Sequence, residues 1–338
     1  MIPVVDGHND VLLRLWLSGR PESFFERSDE GHVDLPRARE GGLAAGFFAV
    51  FVREEDAEVD VEARRYELGL SPPVEHAYAA RVAAEQIELL HRLAAGGELA
   101  VARTVADVER AVAGGPLAAI LHLEGAEPID PKLRALDPLV ESGLRSLGIV
   151  WSRPNAFGVG VPFAFPGHPD VGPGLTPAGR TLVTRCNEIG VMVDVSHLNG
   201  AGFDDVARLS STPLVATHSN AHALCPIPRN LTDRQLDAIR DSGGVVGVVP
   251  DVMMSRPDAA NEVETPIDVI VAHIEHLAER MGVEHVAIGS DFDGCTPPAV
   301  LRDVSRLQLL LDALAWSDAE LRKLAHENWL RVLRATWC

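Results

Sequence analysis

Eight short apolar runs, separated by longer amphipathic stretches, most constrain the fold. They occupy residues 3–6, 44–51, 118–123, 144–150, 191–195, 214–217, 244–249 and 285–289. Near-continuous apolar runs of this length suit strands buried on both faces of a parallel sheet. Helical patterns fill the intervals at 74–95, 133–142, 176–189, 200–209, 232–242 and 265–281, and two more follow at 303–315 and 318–336. Thr176-Pro177 and Thr265-Pro266 put proline at the first helical position, and Ser317-Asp318-Ala319-Glu320 offers a cap with acid in the first turn. Eight βα units with right-handed crossovers give an α/β fold, a (β/α)8 TIM barrel. The rival is an open doubly wound sheet, which the lack of a Gly-rich dinucleotide fingerprint disfavours. A single catalytic domain over 1–338 is expected, with a long Pro/Gly-rich loop at 155–174 and C-terminal helices over 303–336.

A barrel gathers the C-terminal ends of its strands into one ring, so the polar residues there decide the chemistry. His8 and Asp10 follow the first run, Glu124 the third, His197 the fifth, His218 the sixth and Asp291 the eighth. If the chain is still extended at residues 8–10, His8 and Asp10 point the same way. Three histidines and two carboxylates suit two Zn²⁺ or similar borderline divalent ions. Two cations about 3.5–4 Å apart need a bridging anion. Glu124 can bridge through its two oxygens. Lysine occurs only at Lys132 and Lys323, neither at a strand end, so a carboxylated lysine is not an option. Water between such ions ionises near neutral pH and becomes a hydroxide nucleophile. Asp291 would take its proton and deliver it to the leaving group.

Each of these residues taken alone has a blander reading, as a helix cap or a satisfied core histidine. Their joint occurrence at five strand ends favours the metal site. The remaining histidines keep the bland reading, although His122 and His222 stand beside the motifs.

Composition excludes some classes. The net charge of -19, from 30 basic and 49 acidic residues, repels nucleic acid and anionic lipid. Neither is expected as a partner. Cys186, Cys225, Cys295 and Cys338 form no CxxC pair and read as buried or incidental thiols. No run approaches the roughly 20 apolar residues of a membrane span, and no signal peptide precedes His8, so a cytoplasmic protein is expected.

Asp6-Gly7-His8-Asn9-Asp10, His122-Leu123-Glu124-Gly125, Asp194-Val195-Ser196-His197, Thr217-His218-Ser219-Asn220 and Ser290-Asp291-Phe292-Asp293-Gly294 together resemble the membrane (renal) dipeptidase family of the amidohydrolase superfamily. The resemblance covers nearly the whole chain, in order. It implies a two-zinc barrel that hydrolyses dipeptides, including ones with a D-residue on the C-terminal side. By resemblance His8 and Asp10 hold one zinc, His197 and His218 the other, and Glu124 bridges. Asp291 meets the substrate amine and shuttles the proton. The segment Cys225-Pro226-Ile227-Pro228-Arg229-Asn230-Leu231 resembles the one carrying the family's carboxylate-binding arginine, here Arg229. A guanidinium suits that task because it grips a carboxylate with two parallel hydrogen bonds. The resemblance also implies a homodimer, though no interface is legible in the chain.

One departure stands out. Trp151 occupies the place of a histidine that in the family contacts the substrate near the attacked carbonyl. An indole cannot titrate, and losing an oxyanion donor typically costs about 10²–10³ in rate. Arg153, two residues on, and His168 in the long loop are the candidate replacements, which makes Trp151 and Arg153 candidate substrate contacts. Two alternatives to the dipeptidase follow. One is a related hydrolase of a different amide or lactone, the other a metal-binding pseudoenzyme. The intact ligand set plus Asp291 weighs against the latter.

Overall fold

The computed structural model describes residues 1–55 and 69–337. Cys338 lies outside them. The described residues form one nine-stranded parallel sheet. Its strands are β1 (Val4–Asn9), β2 (Leu43–Phe51), β3 (Leu99–Val101), β4 (Leu117–Glu124), β5 (Leu144–Gly148), β6 (Met192–Asp194), β7 (Val215–Ala216), β8 (Val245–Val248) and β9 (Val286–Ile288). Eight follow the path β1-β2-β4-β5-β6-β7-β8-β9, and β3 pairs only with β4, outside that path. The barrel closes where β1 meets the end of β9. Asn9 bridges Phe292 in parallel. Asp291 N–H donates to the His8 carbonyl at 2.9 Å, and Asp10 N–H donates to the Phe292 carbonyl at 2.8 Å.

The eight expected runs are thus the eight barrel strands. The ninth strand, Leu99–Val101, went unread because three residues carry no periodicity that separates a strand from a loop. Helices at Val11–Ser18, Leu35–Gly41 and Val105–Val112 were also unread. Two expected caps form as the sequence suggests. Thr176 Oγ1 accepts from Gly179 N–H at 3.1 Å, and Ser317 with Glu320 makes a reciprocal capping box. The stretch 318–336 is interrupted by a π-helical turn at Lys323–Glu327.

Strand alternation sorts the core. Val5, Ala45, Phe47, Ala118, Ile120, Met192, Val215, Val245 and Ala287 pack together inside the barrel with Trp329. Their neighbours Val4, Phe48, Val50, Ala119, Leu121, Val246 and Ile288 pack outward in the main cluster with the helices. The two-residue period of β4 therefore carries one inward face from Ala118 and Ile120 up to His122 and Glu124. That face runs from an apolar floor to a polar rim. Trp329, on helix Asn328–Thr336, fills the floor. It is fully buried, its ring lies 5.0 Å from that of Phe47, and its Nε1–H donates to the Ile288 carbonyl at 3.0 Å. Gly7 is required beside it, since a Cβ there would collide with the Trp329 ring and the Thr217 carbonyl oxygen.

Candidate metal centre and substrate cavity

The strand ends converge as the barrel demands. His8 comes from β1 and Glu124 ends β4. Asp10, His197, His218 and Asp291 lie in the turns that follow β1, β6, β7 and β9. Asp10 is not on an extended segment, because its backbone has turned to start helix Val11–Ser18. It still reaches His8, with Oδ2 3.6 Å from His8 Nε2. His197 and Asp291 adopt φ of 64° and 54°, the left-handed region that side chains rarely occupy. Strain of this kind persists where the surrounding structure enforces it, often at functional sites.

Glu124 sits at the centre. Its Oε2 lies 3.6 Å from His8 Nε2, and its Oε1 lies 3.0 Å from His197 Nε2 and 3.6 Å from His218 Nε2. One oxygen faces each histidine set. The ligand atoms fall into the groups His8, Asp10, Glu124 and Glu124, His197, His218, with a further grouping of His8, His218 and Asp291. Their surroundings test whether a metal fits. Both ring nitrogens of His8 and Oδ1 of Asp10 are buried without a hydrogen-bond partner. Such atoms are costly to leave unsatisfied, and a cation among them removes the cost. The donor set, imidazole nitrogen with carboxylate oxygen, suits zinc-like divalent ions.

The electrostatics agree. Burial alone would push the Glu124 carboxyl up, but His8, His197 and His218 around it hold it well below the usual range. Burial depresses His197 to about 4, helped by the Arg229 charge, and drives His218 well down. Both rings are therefore neutral and able to ligate. Burial would also lower His8, but Glu124 and Asp10 overcome it and hold His8 well above its ordinary value. Burial raises Asp291 well above the carboxylate range, and the nearby Asp10 charge adds to this. A centre with this much compressed negative charge favours a bound cation.

A cavity of about 1120 Å³ opens above these groups, lined by Asp10, Glu124, His197, Asp291, Arg229 and Trp151 among others. Arg229 is 3 % exposed, and its Nη2–H donates to the His218 carbonyl at 2.9 Å while Nη1–H donates to Ser219 Oγ at 3.2 Å. Its guanidinium is thereby fixed beside one metal pocket. Trp151 forms an aromatic wall, with its ring 4.9 Å from Phe51, 5.4 Å from Phe163 and 5.8 Å from His197.

The two proposed replacements for the missing histidine are placed elsewhere. Arg153 is fully buried and does not line the cavity. Its Nε–H donates to Glu127 at 2.8 Å and its Nη2–H to the Val52 carbonyl at 2.5 Å, and it lies over the Phe51 and Trp151 rings. It braces the aromatic wall from behind. His168 is a surface residue beside Asp170, and it does not line the cavity either. His222 bonds the Gly167 carbonyl, and His122 sits beneath the centre, its Nδ1 2.8 Å from Ser146 Oγ. Cys186, Cys225 and Cys295 are buried, and the Cys225 and Cys295 thiols donate to the Met253 and Ser290 carbonyls at 3.5 Å.

Sequence reading missed Asp251. It lines the same cavity, is 3 % exposed, and caps helix Val252–Ser255 by accepting from Met253 N–H at 3.1 Å. The signal was present, since Asp251 follows β8 and so belongs to the same ring of strand ends. Also missed were Ser152 and Thr217, whose hydroxyls meet the Nδ1 atoms of His197 and His218 at 2.9 and 2.8 Å.

Comparison with known proteins settles the lineage. The family model for membrane dipeptidases, peptidase family M19, matches residues 1–337. The chain belongs to that family. It is a hydrolase acting on dipeptides, built on the metallopeptidase barrel. A metallo peptidase from Rhodobacter sphaeroides, solved with a phosphinate mimic of the dipeptide L-Ala-D-Ala, superposes with a TM-score of 0.96 at 46% identity, covering 99% of each chain. The dipeptidase AC, a metallo peptidase of family M19, superposes with a TM-score of 0.93 at 47% identity, again over 99% of each chain. Dipeptidase tcpJ of Claviceps purpurea is 30% identical over 97% of this chain and 76% of its own length. Among the described residues no helix is long and apolar enough to cross a membrane.

Proposed function

We propose that the protein is a two-metal dipeptidase, with zinc as the expected ion, whose substrates include dipeptides carrying a D-residue on the C-terminal side. The observation that carries this reading is Glu124, one oxygen toward His8 and the other toward His197 and His218, under a cavity that also holds Arg229 and Asp291. His8 and Asp10 would hold one ion, His197 and His218 the second, and Glu124 both. When bound, the ions supply Lewis acidity and make water nucleophilic at neutral pH.

The chain's own residues do the rest. Arg229 grips the free carboxylate of the dipeptide, which fixes the scissile carbonyl over the centre. Asp291, within 4.0 Å of His8 Nε2, accepts the proton of the attacking water and passes it to the leaving amine. The Trp151 wall excludes solvent from one side of the site. The phosphinate ligand of the Rhodobacter protein supports the D-residue reading. Action in the cytoplasm and assembly as a homodimer remain part of the proposal.

Zinc-loaded protein assayed against L,L- and L,D-dipeptide libraries, with metal-stripped protein as control, tests it. Metal-dependent release of free amino acids is expected from both libraries. Release from the L,L library alone would remove the D-residue reading. Full activity in the metal-stripped control would remove the metal.

A further inference from the structure

The two sides of the centre are not held alike. Neither ring nitrogen of His8 has a hydrogen-bond partner, whereas His218 stands at the end of a buried relay. Asp194, the last residue of β6, accepts through Oδ1 from Ser196 N–H and Thr217 N–H, both at 2.9 Å. Its Oδ2 lies 2.6 Å from Thr217 Oγ1, and Thr217 Oγ1 lies 2.8 Å from His218 Nδ1. All three residues are 1 % exposed or less.

The shortest bond of this relay sets the direction of the others. The Thr217 hydroxyl donates its single proton to Asp194 Oδ2 at 2.6 Å, and the Ser196 hydroxyl stands farther off at 3.5 Å. The Thr217 oxygen is then an acceptor toward His218, and His218 Nδ1 must carry the ring proton. His218 Nε2 is left as a bare lone pair, aimed at the space where Glu124 Oε1 stands 3.6 Å away and His197 Nε2 3.1 Å away.

The geometry points to Asp194 and Thr217 as positioning residues that lock His218 into its metal-ligating tautomer before any ion arrives. Partners of this kind beyond the ligands themselves typically govern metal affinity by about 10–100-fold. This inference rests on the proposed metal-binding role of His218.

It predicts an order among variants. Thr217→Val keeps the shape and the backbone bonds but removes the hydroxyl, so Zn²⁺ affinity at the His197–His218 pocket falls by about 10–100-fold. Thr217→Ser keeps the hydroxyl and retains the parent affinity. Asp194→Asn can offer an amide N–H to Thr217 Oγ1, which turns the hydroxyl proton toward His218 Nδ1 and forces the opposite tautomer. Its loss of affinity equals or exceeds that of Thr217→Val.

The test has two readouts on the full-length, metal-stripped protein. Long-range ¹H–¹⁵N spectra report the His218 tautomer, and chelator competition with Zn²⁺ reports affinity. Nδ1–H on His218 in the parent and Nε2–H in Asp194→Asn, with the affinity order above, is the expected result. Nε2–H in the parent overturns the inference, as does equal loss in Thr217→Ser and Thr217→Val. Failure of the parent to take up Zn²⁺ while His218 is Nδ1–H would instead overturn the metal reading, so the two failures are told apart.

Discussion

The Nε2 atoms of His197 and His218 stand 3.1 Å apart, both beside Oε1 of Glu124. Two imidazoles aimed at one point from adjacent strand ends are the arrangement that the proposed cation site requires.

Glu124→Gln therefore strikes both pockets at once. The amide retains one oxygen and turns an N–H₂ toward one set of ligands. Bound metal, measured by elemental analysis after dialysis, should fall to about one ion per chain or fewer, and kcat/KM by at least about 10³, since each metal contributes several kcal/mol to charge stabilisation. Retention of both ions would refute the bridging role.

Arg229→Met separates an exopeptidase from a general amidase. The guanidinium is anchored to the His218 carbonyl and Ser219, and Arg229 lines the cavity where the proposed substrate carboxylate would sit. Loss of a charged hydrogen-bonding partner costs about 1.5–3 kcal/mol, or roughly 10–150-fold. KM for dipeptides should rise by that factor, while KM for an amide lacking the carboxylate changes little. Equal effects on both would defeat the carboxylate role.

Metal uptake should release protons. His8 is held above its ordinary value and Asp291 above the carboxylate range, so the metal-free centre carries protons near neutral pH that a cation displaces. Calorimetric Zn²⁺ titrations at pH 7 in buffers of different ionisation enthalpy should show net proton release. Uptake with no buffer dependence would contradict this charge assignment.

Asp6 gives a pH dependence of the opposite kind from most carboxylates. Burial pushes it up to about 6, although Ser290, Asn9 and His8 N–H all donate to it. In the unfolded chain it titrates near 3.8. Below that value both states hold the proton and Asp6 does not disfavour folding. As pH rises from about 4 through 6 the unfolded chain loses the proton first, so stability falls, by about 3 kcal/mol in all. Urea unfolding of metal-free protein between pH 4 and 7 should show this decline, and Asp6→Asn should flatten it. An unchanged slope in the variant would assign the decline to other groups.

Trp329→Ala removes the barrel floor. A fully buried indole against Phe47 and Gly7 should cost about 3–5 kcal/mol on truncation. Denaturant unfolding measures it, and a loss below about 1 kcal/mol would mean that the floor collapses to fill the space.

The sequence was legible where a residue's position determines its direction. Alternation along β4 puts Glu124 on the same face as Ala118 and Ile120, and a closed barrel does the rest. His8, Glu124, His197, His218 and Asp291 could be gathered by their place at strand ends, while Asp10 reaches the centre from a turned backbone that alternation does not describe. Arg153 shows where this stops. It follows a strand end like the others, but Glu127 and the Val52 carbonyl, from two other strand ends, draw its guanidinium behind the aromatic wall. No local pattern encodes that competition. Thr217 and Ser152 were unreadable for a related reason, since a hydroxyl's role is set by a partner that only the fold supplies.

The seam between β1 and β9 has a consequence in time. Ser290 Oγ donates to the His8 carbonyl across 282 positions of sequence. A ribosome adding about 5–20 residues per second leaves the growing chain for many seconds with His8 and Asp10 made and Asp291 not yet in existence. On the proposed roles, a nascent chain that ends before Asp291 lacks the residue that would shuttle the proton and one part of the pocket lining. The centre is then complete only once the end of β9 has been made and has met β1, so its assembly waits on nearly the whole length of the chain.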